Sequence, residues 1–184
     1  MKIIEKKNVF SGYSKINQLT VLNEAEGVIF KREVLERGSS VTLLVYDSRR
    51  QKVLLTHEFR AGQYMEASES TGLVAGMIDN DEAPEICASR ELLEEAGLTV
   101  PASNIKLLRS SYTSPGITDE ISHMCYVDTD LSDVDIERRY GVPGEAESIR
   151  LSIVSMSELT DLLENTMLSA SSALLIGYLD NGII

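Results

Sequence analysis

Three glutamates, Glu91, Glu94 and Glu95, fall within five residues of one another. The surrounding stretch has apolar residues at helical intervals, with Ile86, Leu92 and Leu93 beside Ala83, Ala88 and Ala96. On a helix Glu95 lies four residues beyond Glu91 and Glu94 three, so all three crowd one face. Like charges at that spacing cost a bare helix about a few tenths of a kcal/mol per pair. A divalent cation removes the objection, because hard Mg²⁺ or Mn²⁺ is held by carboxylate oxygens and keeps several waters. Arg90 precedes Glu94 by four residues and can orient that carboxylate. The chemistry this pattern points to is that of a carboxylate-held cation.

The elements that must carry these groups can be read from periodicity. A helix is predicted from about 81 to 96, entered through Asn80, Asp81 and Pro84 and stopped by Gly97. Alternating apolar and polar residues over 2–10, 16–23 and 26–36 predict an N-terminal antiparallel meander, with 24–27 as the second turn. The runs 41–46 and 51–59 flank Asp47-Ser48-Arg49-Arg50 and read as a hairpin. A short strand is expected near 72–76, with further strands near 104–112, 121–127 and 149–155. Helices near 156–165 and 170–179 follow. Strands flanking a helix, with a helical pair at the end, predict a mixed α/β sandwich.

Charge and composition limit the partners. The 184 residues carry a net charge of −12 with 43% hydrophobic residues, enough for a core. Residues 76–98 hold seven acids against Arg90, and 128–147 hold seven against Arg138 and Arg139. A field of that sign repels nucleic-acid backbones and anionic membrane surfaces, so neither is expected as a partner. No apolar run approaches the roughly 20 residues of a membrane span, and the N-terminus lacks a signal-peptide core. Two cysteines, Cys87 and Cys125, make no disulfide framework, and two histidines, His57 and His123, no histidine-rich metal site. A cytoplasmic protein is expected. Cys87, inside the helix, reads as a small buried residue rather than a nucleophile.

The spacing is more specific than the composition. Gly76, five residues, Glu82, seven residues and then Arg90-Glu91-Leu92-Leu93-Glu94-Glu95-Ala96-Gly97-Leu98 resembles the signature box of the Nudix hydrolases without a departure. The resemblance, which spans about residues 27–180, implies a Nudix-type α/β/α sandwich with a mixed sheet and an N-terminal antiparallel β extension. Residues 1–36 would then be strands serving dimerisation, and 37–184 the hydrolase domain. It also implies Mg²⁺, with Mn²⁺ as a substitute, neutralising a pyrophosphate and activating water for attack on phosphorus. Glu91 and Glu95 become direct metal ligands, joined by the Ala75 carbonyl. Glu94 either ligates or holds metal-bound water, Arg90 orients it, and Glu82 supports Arg90.

Three flanking features bear on the substrate. Leu73-Val74-Ala75-Gly76-Met77-Ile78-Asp79 resembles the lead-in of ADP-ribose and nucleotide-sugar pyrophosphatases. Ser114-Pro115-Gly116, running on to Glu120, resembles the proline-bearing loop of that branch, where Glu120 would accept sugar hydroxyls. Glu145-Ala146-Glu147 resembles its Glu-x-Glu loop, making Glu145 the expected general base and Glu147 a metal ligand; Glu94 and Glu147 remain open as alternative bases. Arg60 matches the family's phosphate-contacting arginine. Lys31, Glu36 and Arg37 match a segment contacting the nucleotide, and Tyr13 or Phe10 offers a stacking surface.

The expected activity is hydrolysis of a nucleoside diphosphate sugar, with ADP-ribose going to AMP and ribose 5-phosphate as the favoured case. The residues at 78–82 also resemble a GDP-mannose-cleaving group, so GDP-mannose is the nearest alternative. A nucleotide-sugar sensor that binds without turnover is the alternative of another class. A homodimer is expected.

Overall fold

The computed structural model describes residues 1–63, 69–142, 144 and 147–184. The chain divides into two compact units, Met1–Ser39 with Ser111–Ile121, and Ser40–Ser110 with Ser122–Ile184.

The first unit is built on an antiparallel meander of β1 (Lys2–Ser11), β2 (Lys15–Asn23) and β3 (Val28–Glu36), in that order. Its second turn closes as the glycine predicts. Gly27 takes φ 69° and donates its N–H to the Asn23 carbonyl at 2.8 Å. The segment from Ser111 is tied to β3 by main-chain bonds. Leu35 donates to the Ile117 carbonyl at 2.8 Å, and Asp119 Oδ1 accepts from the Arg37 N–H at 2.8 Å.

The second unit is centred on a sheet in the order β10 (Arg150–Ser155), β5 (Lys52–Glu58), β4 (Ser39–Asp47), β9 (Ile121–Asp128) and β8 (Lys106–Tyr112). Two short strands lie off this path, β6 (Ser70–Gly72) on β5 and β7 (Val74–Met77) on β4. Successive strand residues face opposite sides of a sheet, and the core divides accordingly. Val41, Leu43 and Val45 of β4 pack with Cys87, Ala88 and Leu92 of α1 (Pro84–Ala96). Leu44 faces the other way, into a cluster with Leu159 of α2 (Met156–Asn165) and Leu175 and Ile176 of α3 (Ala170–Asp180). This is the expected α/β/α layering. Leu92 is fully buried, so its truncation to alanine would cost about 2–5 kcal/mol and loosen α1 from the sheet.

Two boundaries differ from the periodicity. The strand expected near 72–76 is two strands broken at Leu73, each paired with a different partner. Helix α1 begins at Pro84, not near 81, because Asn80 and Asp81 take φ of 49° and 57°, which a right-handed helix excludes. Pro84 then supplies a helical φ where no N–H is needed. Gly97 ends the helix in the left-handed conformation and donates to the Leu93 carbonyl at 3.0 Å. Among the described residues no helix is long and apolar enough to cross a membrane.

Candidate active site

Strand β7 runs antiparallel to β4, pairing Val41 with Gly76 and Thr42 with Ala75. Helix α1 lies against it. The Ala75 N–H donates to Glu95 Oε2 at 3.2 Å, which fixes one carboxylate of the helix to the strand. Gly76 receives the other. A Cβ at this position would stand 1.8 Å from Glu91 Oε1 and 2.0 Å from its carboxyl carbon. Glycine is thus required by close approach of a carboxylate, since any side chain would occupy the space that the Glu91 head group fills.

Arg90 ties the acids together. Its Nη1 donates to Glu91 Oε1 at 2.8 Å and Glu94 Oε2 at 3.0 Å, and its Nη2 donates to Glu82 Oε1 at 2.8 Å and the Met77 carbonyl at 3.0 Å. One guanidinium therefore serves three carboxylates. Glu82 is held below the usual carboxylate range, first by its hydrogen bond from Arg90 and further by the Asp79 N–H.

One guanidinium does not balance the remaining acids. Glu91 is 9% exposed and Glu95 5%. Burial pushes Glu91 from 4.5 up to about 7; Arg90 opposes the rise, while Glu94 and Glu147 add to it. Burial likewise raises Glu95 well above 4.5, with Glu58 and then Glu91 pushing in the same direction. Five carboxylates, from Glu58, Glu91, Glu94, Glu95 and Glu147, thus share one field.

Glu147 reaches that field from a separate segment. The Gly141 N–H donates to the Glu94 carbonyl at 3.2 Å, and Tyr140 bridges to Ile149 on either side of the loop. Gly141 takes φ 118°, and a Cβ there would be 2.8 Å from the Cβ of Glu147. The Val142 N–H donates to Glu147 Oε2 at 3.4 Å. Glu145, the expected base, lies outside the described residues.

A family model for the NUDIX domain matches residues 36–173 of this chain. The chain belongs to the NUDIX family. Members of the family generally work with a divalent cation. Curated relatives include the GDP-mannose pyrophosphatases of Shigella flexneri and of Escherichia coli strain K12. Each is 33% identical over 127 residues, which is 66% of this chain and 65% of the relative. The chain thus spans about two thirds of the length of these relatives. Among solved structures, the crystal structure of an ADP compounds hydrolase aligns with a TM-score of 0.75 and 19% identity. It covers 99% of this chain and 95% of that one, a likeness of fold.

The NUDIX box residues Arg90, Glu91, Glu94 and Glu95 are gathered at the β7–α1 contact with Ala75, and Glu147 joins them in the shared field. Among the described residues no three acid, cysteine or histidine side chains converge as a finished coordination sphere. Arg60, in the same unit, is ion-paired to Glu58. The four other expected substrate residues lie in the first unit. Arg37 and Glu120 line a pocket of about 290 Å³ with Ile16, Glu33, Leu35 and Ile117. Glu36 instead accepts from Lys6 Nζ at 3.1 Å and Asn17 Nδ2 at 2.7 Å. Lys31 stands on β3 opposite Thr20. Both cysteine thiols are buried and pushed up to about 12 by that burial, so neither is a nucleophile.

Sequence reasoning missed Glu58. It ends β5 and follows no box spacing. The available signal was its place two residues before Arg60, which brings the pair to the same side of an extended chain.

Proposed function

We propose that the chain hydrolyses the diphosphate linkage of a nucleoside diphosphate sugar with Mg²⁺, for which Mn²⁺ can substitute. One observation carries the reading: Glu91 and Glu95, both buried and both held above the carboxylate range, face a strand whose Gly76 has been emptied of side chain to receive one of them. Five carboxylates against the guanidiniums of Arg90 and Arg60 leave negative charge in excess, which calls for a cation, and hard oxygen donors suit a divalent one. Glu91, Glu95, the Ala75 carbonyl and Glu147 would hold it. When bound it would supply charge neutralisation to the diphosphate and activation to water.

The chain's own groups divide the remaining work. Arg90 keeps the Glu91 and Glu94 carboxylates oriented. Glu145 takes the proton of the attacking water, and Arg60 offers its planar fork to a phosphate. In the first unit Lys31, Glu36, Arg37 and Glu120 contribute to the nucleotide and its sugar; the pocket between Arg37 and Glu120 supports this for two of them.

ADP-ribose is the substrate favoured by the residues before the box and by the Ser114-Pro115-Gly116 loop. GDP-mannose is favoured by the names of the relatives that share 33% identity. Turnover on a panel of ADP-ribose, ADP-glucose, GDP-mannose and UDP-glucose with Mg²⁺, read by phosphatase-coupled phosphate release, separates the two. Glu95→Gln should abolish most of the rate while the fold persists. Binding without turnover in the unsubstituted protein would make the chain a sensor instead.

Residues 1–36 are assigned to dimerisation and the protein to the cytoplasm. All of β1 is exposed, including Ile3, Ile4, Val9 and Phe10, which leaves an apolar strand uncovered. Sedimentation velocity of the whole chain tests the dimer.

A further inference from the structure

Two buried side-chain polar atoms have no hydrogen-bond partner among the described residues, Arg60 Nε and Ser70 Oγ. Such atoms are rare in a native fold and call for an explanation. Glu58 links the two residues. Ser70 stands directly opposite Glu58 in the β5–β6 ladder, and Glu58 is the carboxylate that accepts from Arg60 Nη2. A Cβ at Gly72 would lie 3.7 Å from Arg60 Nη2, so the guanidinium rests over the face of β6 to which the Gly72 position points. Ser70, two residues earlier on the same strand, points to that face as well. With no side chain at Gly72, Arg60 lies against β6 at van der Waals distance from that position. The Ser172 hydroxyl borders it, 3.8 Å from the same Cβ position.

The chemistry of the niche is one-sided. An arginine Nε–H only donates, so whatever completes it must be an acceptor. The serine hydroxyl can turn to donate to the same atom. Glu58 occupies Nη2 and so fixes which edge of Arg60 remains to be filled. Ser70 itself is 5% exposed. The same Glu58 acts on Glu95, which sets the niche beside the acids of the proposed cation site.

We propose that Ser70 is a substrate-binding residue whose hydroxyl, together with Arg60 Nε, receives one anionic oxygen of the diphosphate, with Glu58 positioning Arg60 for it. This rests on the reading of the site as a nucleoside diphosphate sugar hydrolase and adds to it a donor that the box does not contain.

Ser70→Ala separates the possibilities, because among the described residues the hydroxyl has no bond to lose. The full chain and the variant are compared in three measurements: steady-state kinetics on the best substrate of the panel, calorimetric binding of ADP in EDTA, and thermal unfolding without ligand. The expected result is KM and the ADP dissociation constant raised roughly 10–100-fold, as for a lost hydrogen bond to a charged group, with kcat changed far less and the melting temperature unmoved. Ser70→Cys, nearly the same size and a weak donor, should fall between the two. A lowered melting temperature with unchanged KM and ADP affinity would mean that the hydroxyl holds a structural water, and would overturn the assignment. Wild-type turnover and ADP binding that the substitution leaves intact refute the role of Ser70 alone. A wild-type chain that neither turns over the panel nor binds ADP removes the reading of the site and this assignment together.

Discussion

The sharpest test of the carboxylate cluster is Glu91→Gln in cation-free protein. Glutamine keeps the shape of the side chain and an oxygen for Arg90 Nη1, which now sits 2.8 Å from Glu91 Oε1, and removes only the charge. Burial raises this carboxyl from 4.5 to about 7 in the fold. At about 1.4 kcal/mol per pH unit, that gap makes the ionised form roughly 3 kcal/mol worse in the folded than in the unfolded chain. That figure is net of Arg90, whose charge and hydrogen bond already oppose the rise. The substitution should therefore stabilise the apo-protein by about 3 kcal/mol once the carboxyl is ionised, or roughly 6–12 °C in melting temperature for a chain of this size.

The sign follows from the proton count. Between 4.5 and about 7 the folded state still holds a proton that the unfolded state has released, so stability falls as pH rises through that window and levels above it. In EDTA the wild type should lose stability across the window and Glu91→Gln should lose less. Adding Mg²⁺ at a pH above the window should restore the wild type and leave the variant little changed, because an ion held by these carboxylates would bind only the folded state. Thermal melts by circular dichroism at both ends of the window, with EDTA or MgCl₂, give all four comparisons. A variant less stable than wild type above the window in EDTA, or one stabilised by Mg²⁺ to the same extent, would refute the reasoning.

Gly76→Ala should place a methyl group where Glu91 Oε1 now lies, force the carboxylate aside and reduce kcat by about 100-fold with a small change in melting temperature; steady-state kinetics beside a melt checks both halves. Arg90→Ala should act oppositely to Glu91→Gln, since it leaves Glu82, Glu91 and Glu94 without their shared cation; urea denaturation in EDTA should show a loss of about 3 kcal/mol. Glu145→Gln should lower kcat far more than it raises KM, and a pure KM effect in the pH–rate profile would move the general base to Glu94 or Glu147.

The helix and its acids were legible because their information is local. Glu91, Glu94 and Glu95 are set on one face by the helical period, Gly97 marks the stop, and the spacing back to Gly76 belongs to one continuous segment. The meander was legible for the same reason, since alternation and turn residues suffice to place β1, β2 and β3 within a residue or two. Less readable was anything decided by pairing at a distance. The break at Leu73 exists because β6 finds β5 while β7 finds β4, and no alternation within 70–77 records a change of partner. The start of α1 at Pro84 depended on left-handed backbone at Asn80 and Asp81, residues that tolerate that conformation without announcing it.

Glu58 shows what local pattern omits at a site. It belongs to a different strand from the box, and its weight comes from what the fold places next to it: Arg60 on one side and the Glu95 charge on the other. A carboxylate there raises the cost of ionising Glu95 and at the same time immobilises the guanidinium that lowers it. Both effects bear on the same group, so replacing Glu58 cannot be read as the loss of one ion pair. Glu58→Gln should relieve Glu95 directly while freeing Arg60 to approach it, and both changes lower the Glu95 pKa. The pH dependence of apo stability should therefore flatten in Glu58→Gln as it does in Glu91→Gln, although residue 58 lies outside the box. A slope unchanged from wild type would show that Glu58 serves Arg60 alone.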